Sequence, residues 1–298
     1  MHNFKQLALI GATASGKTSL AIKTAQHINA YILSLDSLSV YKEIDIVSAK
    51  PTIKERQGIQ HFGLDYLYPH ENFDVTTFIT LYHEVYNLCL NDNKNLIIVG
   101  GTSFYLKMLI DGISNLPSIS QKNRKKTQQC LLDVKQAYEM LYDMDSHYMG
   151  HVEPQDRYRI EKALNIYFET SLTPTQYFRE TPPVPAIIEP LPIYQIVWDK
   201  AMLRERIALR TTMMLNDGLI DEICRLEKKY TRAPNSMKSI GIKETLAYLD
   251  GAYDKKMLVE KITTNTARLA KRQTTFNNSQ FENVIKGSLE ELERILLD

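Results

Sequence analysis

The segment Gly11-Ala12-Thr13-Ala14-Ser15-Gly16-Lys17-Thr18 has the residue spacing of a phosphate-binding loop, or P-loop. An apolar run precedes it and a helical pattern follows it, which is the strand-loop-helix context that a P-loop requires. In such a loop the glycines let backbone N–H groups close around phosphate oxygens, and the start of the helix adds positive partial charge. Lys17 neutralises terminal phosphates, and Thr18 is a candidate ligand for Mg²⁺. The alternative is a chance Gly-rich turn; the context favours a pyrophosphate or nucleotide site made by the whole segment.

Apolar runs and helical patterns alternate through the first third of the chain. The runs Leu7 to Ile10, Tyr31 to Leu35 and Leu96 to Val99 are predicted strands. Helical patterns separate them, one from about Thr18 to Ile28 and one with an apolar stripe of Phe78, Leu81, Val85 and Leu88. Strands that alternate with helices usually form a parallel sheet covered on both faces. We therefore predict an α/β core of the P-loop NTPase-like kind.

The character of the sequence changes after Gly112, where polar helical stretches begin. The far end of this region is marked by five prolines, which favour extended chain: Pro182, Pro183, Pro185, Pro190 and Pro192. Ile193 to Trp198 then reads as a strand that returns to the sheet. We predict a core of residues 1–114 and 193–298 and a mostly helical insertion domain of residues 115–192. From Ala201 the chain is predicted to be helical, with a break at Gly218, since Gly suits a left-handed cap.

Composition excludes several classes of protein. The 298 residues are 44% hydrophobic, which is ample for a packed core, and the formal net charge is +1. No apolar run approaches the roughly 18 residues that a membrane span needs, and Met1 to Gln6 lacks the regions of a secretory signal. The three cysteines are far apart and form no CxxC pair that would suggest a metal cage. We therefore expect a cytoplasmic protein without a membrane partner, and no feature predicts a protein partner.

Asp36 ends the second apolar run, beside the predicted phosphate loop. Ligands of open α/β sheets bind at the carboxyl ends of the strands, where a carboxylate can act as a general base. The other interpretation is a turn or helix cap, a common use of Asp before Ser. Thr102 follows the apolar run that ends at Val99 and has the same two interpretations. The P-loop does not choose between triphosphate hydrolysis, phosphoryl transfer and the use of pyrophosphate as a leaving group.

Arg210 is predicted to lie on the apolar face of a helix. Leu203, Ile207 and Met214 recur at helical spacing and share that face with it. Because a buried cation needs a partner, either a pyrophosphate or an acidic side chain is expected beside the guanidinium.

Three separated groups of basic residues suggest a polyanionic partner. Most basic stripes are only solvated surfaces, but three patches on a chain of almost zero net charge suit a wrapped nucleic acid. The groups are Lys122, Arg124, Lys125 and Lys126; then Arg159 and Lys162, which share a helix with Asp156; then Lys261, Arg268 and Arg272.

Taken together, these residues resemble the tRNA dimethylallyltransferase family, also called tRNA isopentenyltransferase, and the resemblance covers nearly the whole chain. It rests on an ordered set of motifs: the P-loop, Asp36-Ser37 through Tyr41, Asp45-Ile46, Ala49-Lys50-Pro51, Val99-Gly-Gly-Thr102 with Tyr105, Leu116-Pro117, the Arg159 to Leu164 helix, Ser239-Ile-Gly241 and Leu269-Ala-Lys-Arg-Gln273.

The resemblance implies an enzyme that transfers the dimethylallyl group of dimethylallyl pyrophosphate to N6 of the adenosine adjacent to the anticodon, position 37 of tRNA. It implies that the P-loop holds pyrophosphate with Mg²⁺, that Asp36 takes the N6 proton, and that Thr102 and Arg210 support the departing pyrophosphate. The anticodon stem-loop is the implied macromolecular substrate. The contacts implied with it are Ser37, Leu38, Ser39, Arg124, Arg159, Lys162, Lys271, Arg272 and Gln273.

The chain departs from the family pattern at Ala12, where Pro is usual, at Lys162, where Arg is common, and at Phe276-Asn277-Asn278, where Trp-Leu-Arg is usual. Two other functions stay open on the residues alone. One is a P-loop kinase that uses Asp36 as the base for a hydroxyl acceptor. The other is a non-catalytic RNA-binding switch that senses nucleotide through the P-loop.

Overall fold

The computed structural model describes residues 4–298, so the first three residues of the segment Met1 to Gln6 lie outside it. In chain order, the strands within that range are β1 (Gln6–Gly11), β2 (Ala30–Leu35), β3 (His61–Phe62), β4 (Asn95–Gly100), β5 (Ile193–Ile196) and β6 (Ile285–Gly287). The α-helices of the same range are α1 (Lys17–His27), α2 (Val75–Asn91), α3 (Ser103–Asp111), α4 (Gln121–Cys130), α5 (Val134–Met144), α6 (Ser146–Met149), α7 (Arg157–Thr170), α8 (Pro174–Glu180), α9 (Lys200–Asn216), α10 (Leu219–Tyr230), α11 (Ile242–Leu249), α12 (Lys255–Gln280) and α13 (Leu289–Leu297).

The six strands form one parallel sheet in the order β3-β2-β4-β1-β5-β6. β4 is buried along its whole length, as expected for a central strand of a parallel sheet with both faces covered. Helices α1 and α13 pack on the sheet through apolar side chains such as Leu20 and Leu292. The predicted α/β class and parallel sheet are confirmed.

The chain divides into two compact units. One contains the residues up to Met108 together with Ile187–Asp298, and it holds the sheet. The other, Leu109–Ala186, contains α4 to α8 and has its own apolar core, to which Leu141, Ile160 and Leu164 contribute. Within this second unit Gly112 has a positive φ of 84°, and a Cβ there would overlap the backbone of Val184. Within residues 4–298, no helix has the length and the apolar character that crossing a membrane requires.

Some details of the fold differ from the sequence interpretation; β5, for example, ends at Ile196 rather than at Trp198. The short strands β3 and β6 were not predicted, because two or three residues are too few to display a period of two. The carboxyl-terminal region is thus helical apart from β6, which extends the sheet beside β5. In α2 the buried stripe ends at Cys89 rather than at Leu88, which is 41% exposed.

A buried carboxylate fixes the segment that follows β2. Glu222, in the first turn of α10, is 3% exposed. It accepts hydrogen bonds from three successive backbone N–H groups, those of Asp45 at 3.0 Å, Ile46 at 2.8 Å and Val47 at 3.0 Å. Since buried N–H groups need acceptors, one side chain satisfies a whole turn of irregular backbone.

We expect the substitution Glu222→Gln to lower the free energy of unfolding by about 1–3 kcal/mol, because one acceptor oxygen becomes an NH₂ group that faces backbone donors. Urea denaturation measures the change. The matched control is Asp221→Asn, which removes a charge from the same first turn of α10 at an exposed position and should change stability by no more than about 0.5 kcal/mol. Equal effects of the two substitutions would assign the loss to the helix dipole and contradict the prediction.

Candidate active site

Three strands of the sheet end side by side at the candidate site. β4 lies between β2 and β1, and the parallel register brings Leu35 of β2 next to Gly100 of β4. A Cβ on Gly100 would overlap the carbonyl group of Leu35, so only glycine allows this approach. Asp36, Thr102 and the P-loop therefore leave neighbouring strands at one edge of the sheet, as the sequence predicts.

The P-loop connects β1 to α1 with its backbone in alternating conformations. Ala14 has φ 64° and Gly16, at the start of α1, has φ 93°. Such alternation turns successive N–H groups toward one side and makes a concavity that binds anions. The Lys17 ammonium donates a hydrogen bond to the carbonyl oxygen of Ala12 at 2.6 Å, and the Thr18 side chain is exposed in the first turn of α1.

The side chain of Gln273 joins the P-loop to the loop after β4. Its Oε1 accepts a hydrogen bond from the N–H of Thr13 at 2.9 Å, and its Nε2 donates to the carbonyl oxygen of Gly101 at 3.0 Å. Gln273 was expected among the tRNA contacts, and that role stays a prediction. In the structure its amide links α12 to two of the three loops of the site.

Asp36 forms a turn with one of its two carboxylate oxygens. Oδ1 accepts hydrogen bonds from the N–H groups of Leu38 at 2.8 Å and Ser39 at 3.0 Å. The N–H of Ser37, the residue directly after Asp36, donates to the hydroxyl oxygen of Thr102 at 3.2 Å. The turn therefore fixes the carboxylate while Oδ2 takes no part in it, and Thr102 connects the loop after β4 to the loop after β2.

The site concentrates positive charge in a poorly solvated place. Burial, together with the nearby Arg210 guanidinium, lowers the pKa of Lys17 to about 7, and Asp36 partly opposes this shift. Burial also lowers the pKa of Arg210, again opposed by Asp36. Within residues 4–298, no carboxylate lies within ion-pair distance of Arg210, whose Nη1 donates to the Thr13 hydroxyl at 3.1 Å. The alternative of an ion pair with an acidic side chain is therefore not found among these residues, although the charge of Asp36 acts on Arg210 from a greater distance.

The three loops open into a cavity of about 620 Å³, within the range of sites for small molecules. Asp36, Thr102 and Arg210 all line it, so the predicted catalytic residues are brought together. The apolar face of α9 that was predicted around Arg210 forms one wall, and α12 forms another. The lining residues of α9 are Ile207, Arg210, Thr211 and Met214. Those of α12 are Ile262, Thr266, Leu269, Arg272, Gln273, Phe276 and Asn277.

Two polar side chains that line the cavity were given no site role from the sequence, although Asn277 lies in the segment that departs from the family pattern. Asn277 is fully buried, and neither its Nδ2 nor its Oδ1 has a hydrogen-bond partner among the described residues. Ser103, the first residue of α3, is 3% exposed, and its Oγ is likewise unpartnered within residues 4–298. No sequence signal separates such residues from ordinary helix positions, because their burial depends on distant segments.

Two further residues that contact the P-loop were missed as well. Arg206, one helical turn before Arg210 on α9, donates from Nε to the carbonyl oxygen of Ala14 at 2.8 Å. Trp198, which follows β5, donates from Nε1 to the carbonyl oxygen of Ser15 at 2.9 Å. The available signals were the spacing of four residues between the two arginines and the presence of a single tryptophan in the chain.

The residues expected to contact tRNA lie in several places. In the unit that holds the sheet, Ser37 is exposed, Leu38 is half-buried and Ser39 is buried, while Lys271 and Arg272 are exposed on α12. In the unit Leu109–Ala186, Arg124 is exposed on α4 and Arg159 is exposed on α7, where it pairs with Asp156 at 2.9 Å. Lys162 on α7 lies over the ring of Tyr158, with its Nζ 5.3 Å from the ring centroid.

Proteins of known sequence resemble the chain over nearly its full length. A tRNA dimethylallyltransferase of Sulfurovum sp. (strain NBC37-1) is 66% identical over 293 residues, which cover 98% of this chain and 97% of the relative. One of Sulfurimonas denitrificans (strain ATCC 33889 / DSM 1251) is 55% identical over 292 residues, which cover 98% of each.

Solved structures resemble it too. The tRNA delta(2)-isopentenylpyrophosphate transferase of Staphylococcus epidermidis is 29% identical with a TM-score of 0.69, and the match covers 98% of this chain and 96% of that one. A eukaryotic dimethylallyltransferase acting on tRNA has a TM-score of 0.83 over 96% of this chain and 75% of that one; at 24% identity, this likeness concerns the fold.

The family model described as IPP transferase matches residues 39–280. The matched segment begins within the turn that Asp36 forms and ends with α12, the helix that supplies Gln273. With more than half of its length matched, and with relatives more than 50% identical along almost all of it, the chain belongs to the IPP transferase family.

Proposed function

We propose that this prenyl-transferring enzyme moves the dimethylallyl group of dimethylallyl pyrophosphate to N6 of the adenosine adjacent to the anticodon, position 37, of tRNA. One observation carries the proposal: a carboxylate, Asp36, and a half-buried cation, Arg210, line a single cavity beside a P-loop whose own cation, Lys17, is poorly solvated and electrostatically coupled to both. A diphosphate matches the loop and the cations. An acceptor that must lose a proton matches the carboxylate.

In the proposed reaction the N6 lone pair forms a bond to C1 of the dimethylallyl group. The bond between C1 and the diphosphate oxygen breaks, and its electron pair leaves with the diphosphate. Oδ2 of Asp36 takes the proton that N6 loses, while Oδ1 stays in the turn with Leu38 and Ser39. An exocyclic amine is a weak nucleophile, so removal of this proton aids the attack.

The departing diphosphate gains negative charge as the C1–O bond breaks. Lys17 and Arg210 are placed to stabilise that charge, and their poor solvation strengthens the attraction. The Thr102 hydroxyl, held by the N–H of Ser37, is proposed to orient the same group.

We propose Mg²⁺ as the cofactor, with Thr18 as its protein ligand. Mg²⁺ commonly takes one or two protein oxygens and completes its shell with substrate phosphates and water. Thr18 fits this use, because its hydroxyl is exposed in the first turn of α1, directly after Lys17. When bound, Mg²⁺ would neutralise part of the diphosphate charge.

We propose that the basic residues of each unit contact the anticodon stem-loop. Arg124 and Arg159 are exposed in one unit, and Lys271 and Arg272 are exposed on α12 of the other. Exposed cations favour phosphate contacts. The target adenosine must leave its base stack to reach a cavity, as in other enzymes that act on bases. Since tRNA is the proposed substrate, the cytoplasm is the proposed compartment.

Transfer of radiolabel from dimethylallyl pyrophosphate to unmodified tRNA, with Mg²⁺ present, tests the proposed function. Label should enter a tRNA that has adenosine at position 37 and should not enter the same tRNA with guanosine there. No label in either tRNA, with consumption of ATP when a small hydroxyl acceptor is added, would instead identify a P-loop kinase.

We expect Asp36→Asn to lower kcat for label transfer by about 10²–10⁴-fold, because the amide keeps the turn through its oxygen but cannot take the N6 proton. Affinity for pyrophosphate should change little. Asp36→Ala is the companion variant, since it removes the turn as well and should also lower the thermal denaturation midpoint. A kcat of Asp36→Asn near that of the unsubstituted protein would exclude Asp36 as the base.

We expect pyrophosphate binding at about pH 8 to take up protons through Lys17. With a pKa near 7, most of this side chain is neutral at that pH, and a bound polyanion favours the ammonium form. The uptake should disappear below about pH 6, where Lys17 is already protonated. Calorimetry in buffers of different ionisation enthalpy measures the number of protons.

Lys17→Arg should lose this uptake, because a guanidinium stays charged throughout. Lys23→Arg is the matched control, since Lys23 is an exposed residue of α1, and it should leave the uptake unchanged. Equal uptake by the Lys17→Arg variant and the unsubstituted protein would show that the protons go elsewhere, to the diphosphate itself above all.

A further inference from the structure

Trp198 and Arg206 form a stacked pair against the backbone of the P-loop. The guanidinium carbon of Arg206 lies 4.6 Å from the centroid of the Trp198 ring. Each side chain donates one hydrogen bond to the loop, Trp198 to the carbonyl oxygen of Ser15 at 2.9 Å and Arg206 to that of Ala14 at 2.8 Å. The two acceptors are consecutive carbonyl groups of the phosphate-binding segment.

A loop that binds phosphate through its N–H groups has to turn its carbonyl groups elsewhere, because a carbonyl oxygen repels a phosphate oxygen. Ala14 has a positive φ of 64°. This left-handed conformation is unfavourable for a residue with a Cβ and persists only where the surroundings hold it. The hydrogen bonds from Trp198 and Arg206 act on this residue and on the next one.

Stacking holds the side chains of Trp198 and Arg206 together as a pair. Arg206 is exposed, and an exposed arginine loses conformational freedom when it is held in one position. The half-buried indole ring gives it a surface to rest on. Another nitrogen of the Arg206 guanidinium, Nη2, lies 3.9 Å from the position that a Cβ on Gly16 would occupy. The guanidinium therefore lies along the P-loop as far as the start of α1.

We propose that Trp198 and Arg206 are positioning residues that hold the carbonyl groups of Ala14 and Ser15 away from a bound diphosphate, so that the N–H groups of the loop converge on it. This role rests on the proposed function only in that a diphosphate is the ligand of the loop. Both residues act through the backbone, in contrast to Lys17 and Arg210, which are proposed to meet the diphosphate itself.

Two substitutions separate this role from a general effect of charge. Trp198→Phe keeps an aromatic ring for Arg206 to stack on but removes the N–H that Ser15 accepts. Arg206→Ala removes the hydrogen bond to Ala14 together with one positive charge. The matched control is Arg204→Ala, which removes a positive charge from α9 at an exposed residue whose side chain makes no hydrogen bond or ion pair within residues 4–298.

Calorimetric titration of the full chain with pyrophosphate is the primary test. Trp198→Phe and Arg206→Ala should each weaken binding about three- to tenfold, the effect of one lost hydrogen bond, and Arg204→Ala should change it less than about twofold. The double variant should lose less than the product of the single losses, because both side chains support the same two residues. In label transfer, KM for dimethylallyl pyrophosphate should rise by the same factors, with kcat and KM for tRNA unchanged.

The fluorescence of Trp198, the single tryptophan of the chain, supplies a direct signal. Pyrophosphate should change its emission in the unsubstituted protein and in Arg204→Ala, and should change it much less in Arg206→Ala. Unaltered pyrophosphate affinity in a folded Trp198→Phe variant would overturn the proposal, as would equal losses in Arg204→Ala and Arg206→Ala. If the binding losses occur but no label reaches tRNA, the positioning role stands and the proposed function fails.

Discussion

The approach of β2 and β4 at their carboxyl ends is the constraint on which the candidate site depends. Gly100 lies against the carbonyl group of Leu35, which then accepts a hydrogen bond from the N–H of Thr102 at 3.1 Å. The Thr102 hydroxyl in turn accepts from Ser37. Because these contacts join backbone to backbone or to a short side chain, they leave little freedom between the two loops. Asp36 is held at a fixed separation from Thr102 as a result.

The third loop is tied to this pair by α12 and α9 rather than by the sheet alone. Gln273 reaches the P-loop and Gly101 with one amide, and Arg210 reaches Thr13 from the other helix. Both helices also form walls of the cavity. A change that moves either helix therefore alters the shape of the cavity and the geometry of the P-loop together.

The parts of this arrangement that follow from short stretches of sequence could be predicted. The P-loop, the strands that end at Leu35 and Gly100, and the apolar face around Arg210 all have their own local pattern. The contacts of Gln273 and Trp198 could not, because they join residues 260 and 183 positions apart in the chain. The strands β3 and β6 escaped prediction for another reason, since their pairing partners, not their own few residues, make them strands.

Asp36 illustrates how two interpretations of one residue can both have a physical basis. The sequence leaves a general base and a turn-forming cap as alternatives, as if one excluded the other. In the structure the turn uses Oδ1 alone, and two N–H donors restrict rotation of the carboxylate. A base that must accept a proton from a defined direction benefits from such restriction, because an oriented group loses less entropy when it reacts. The turn and the proposed proton transfer thus use different oxygens of one group, and the first prepares the second.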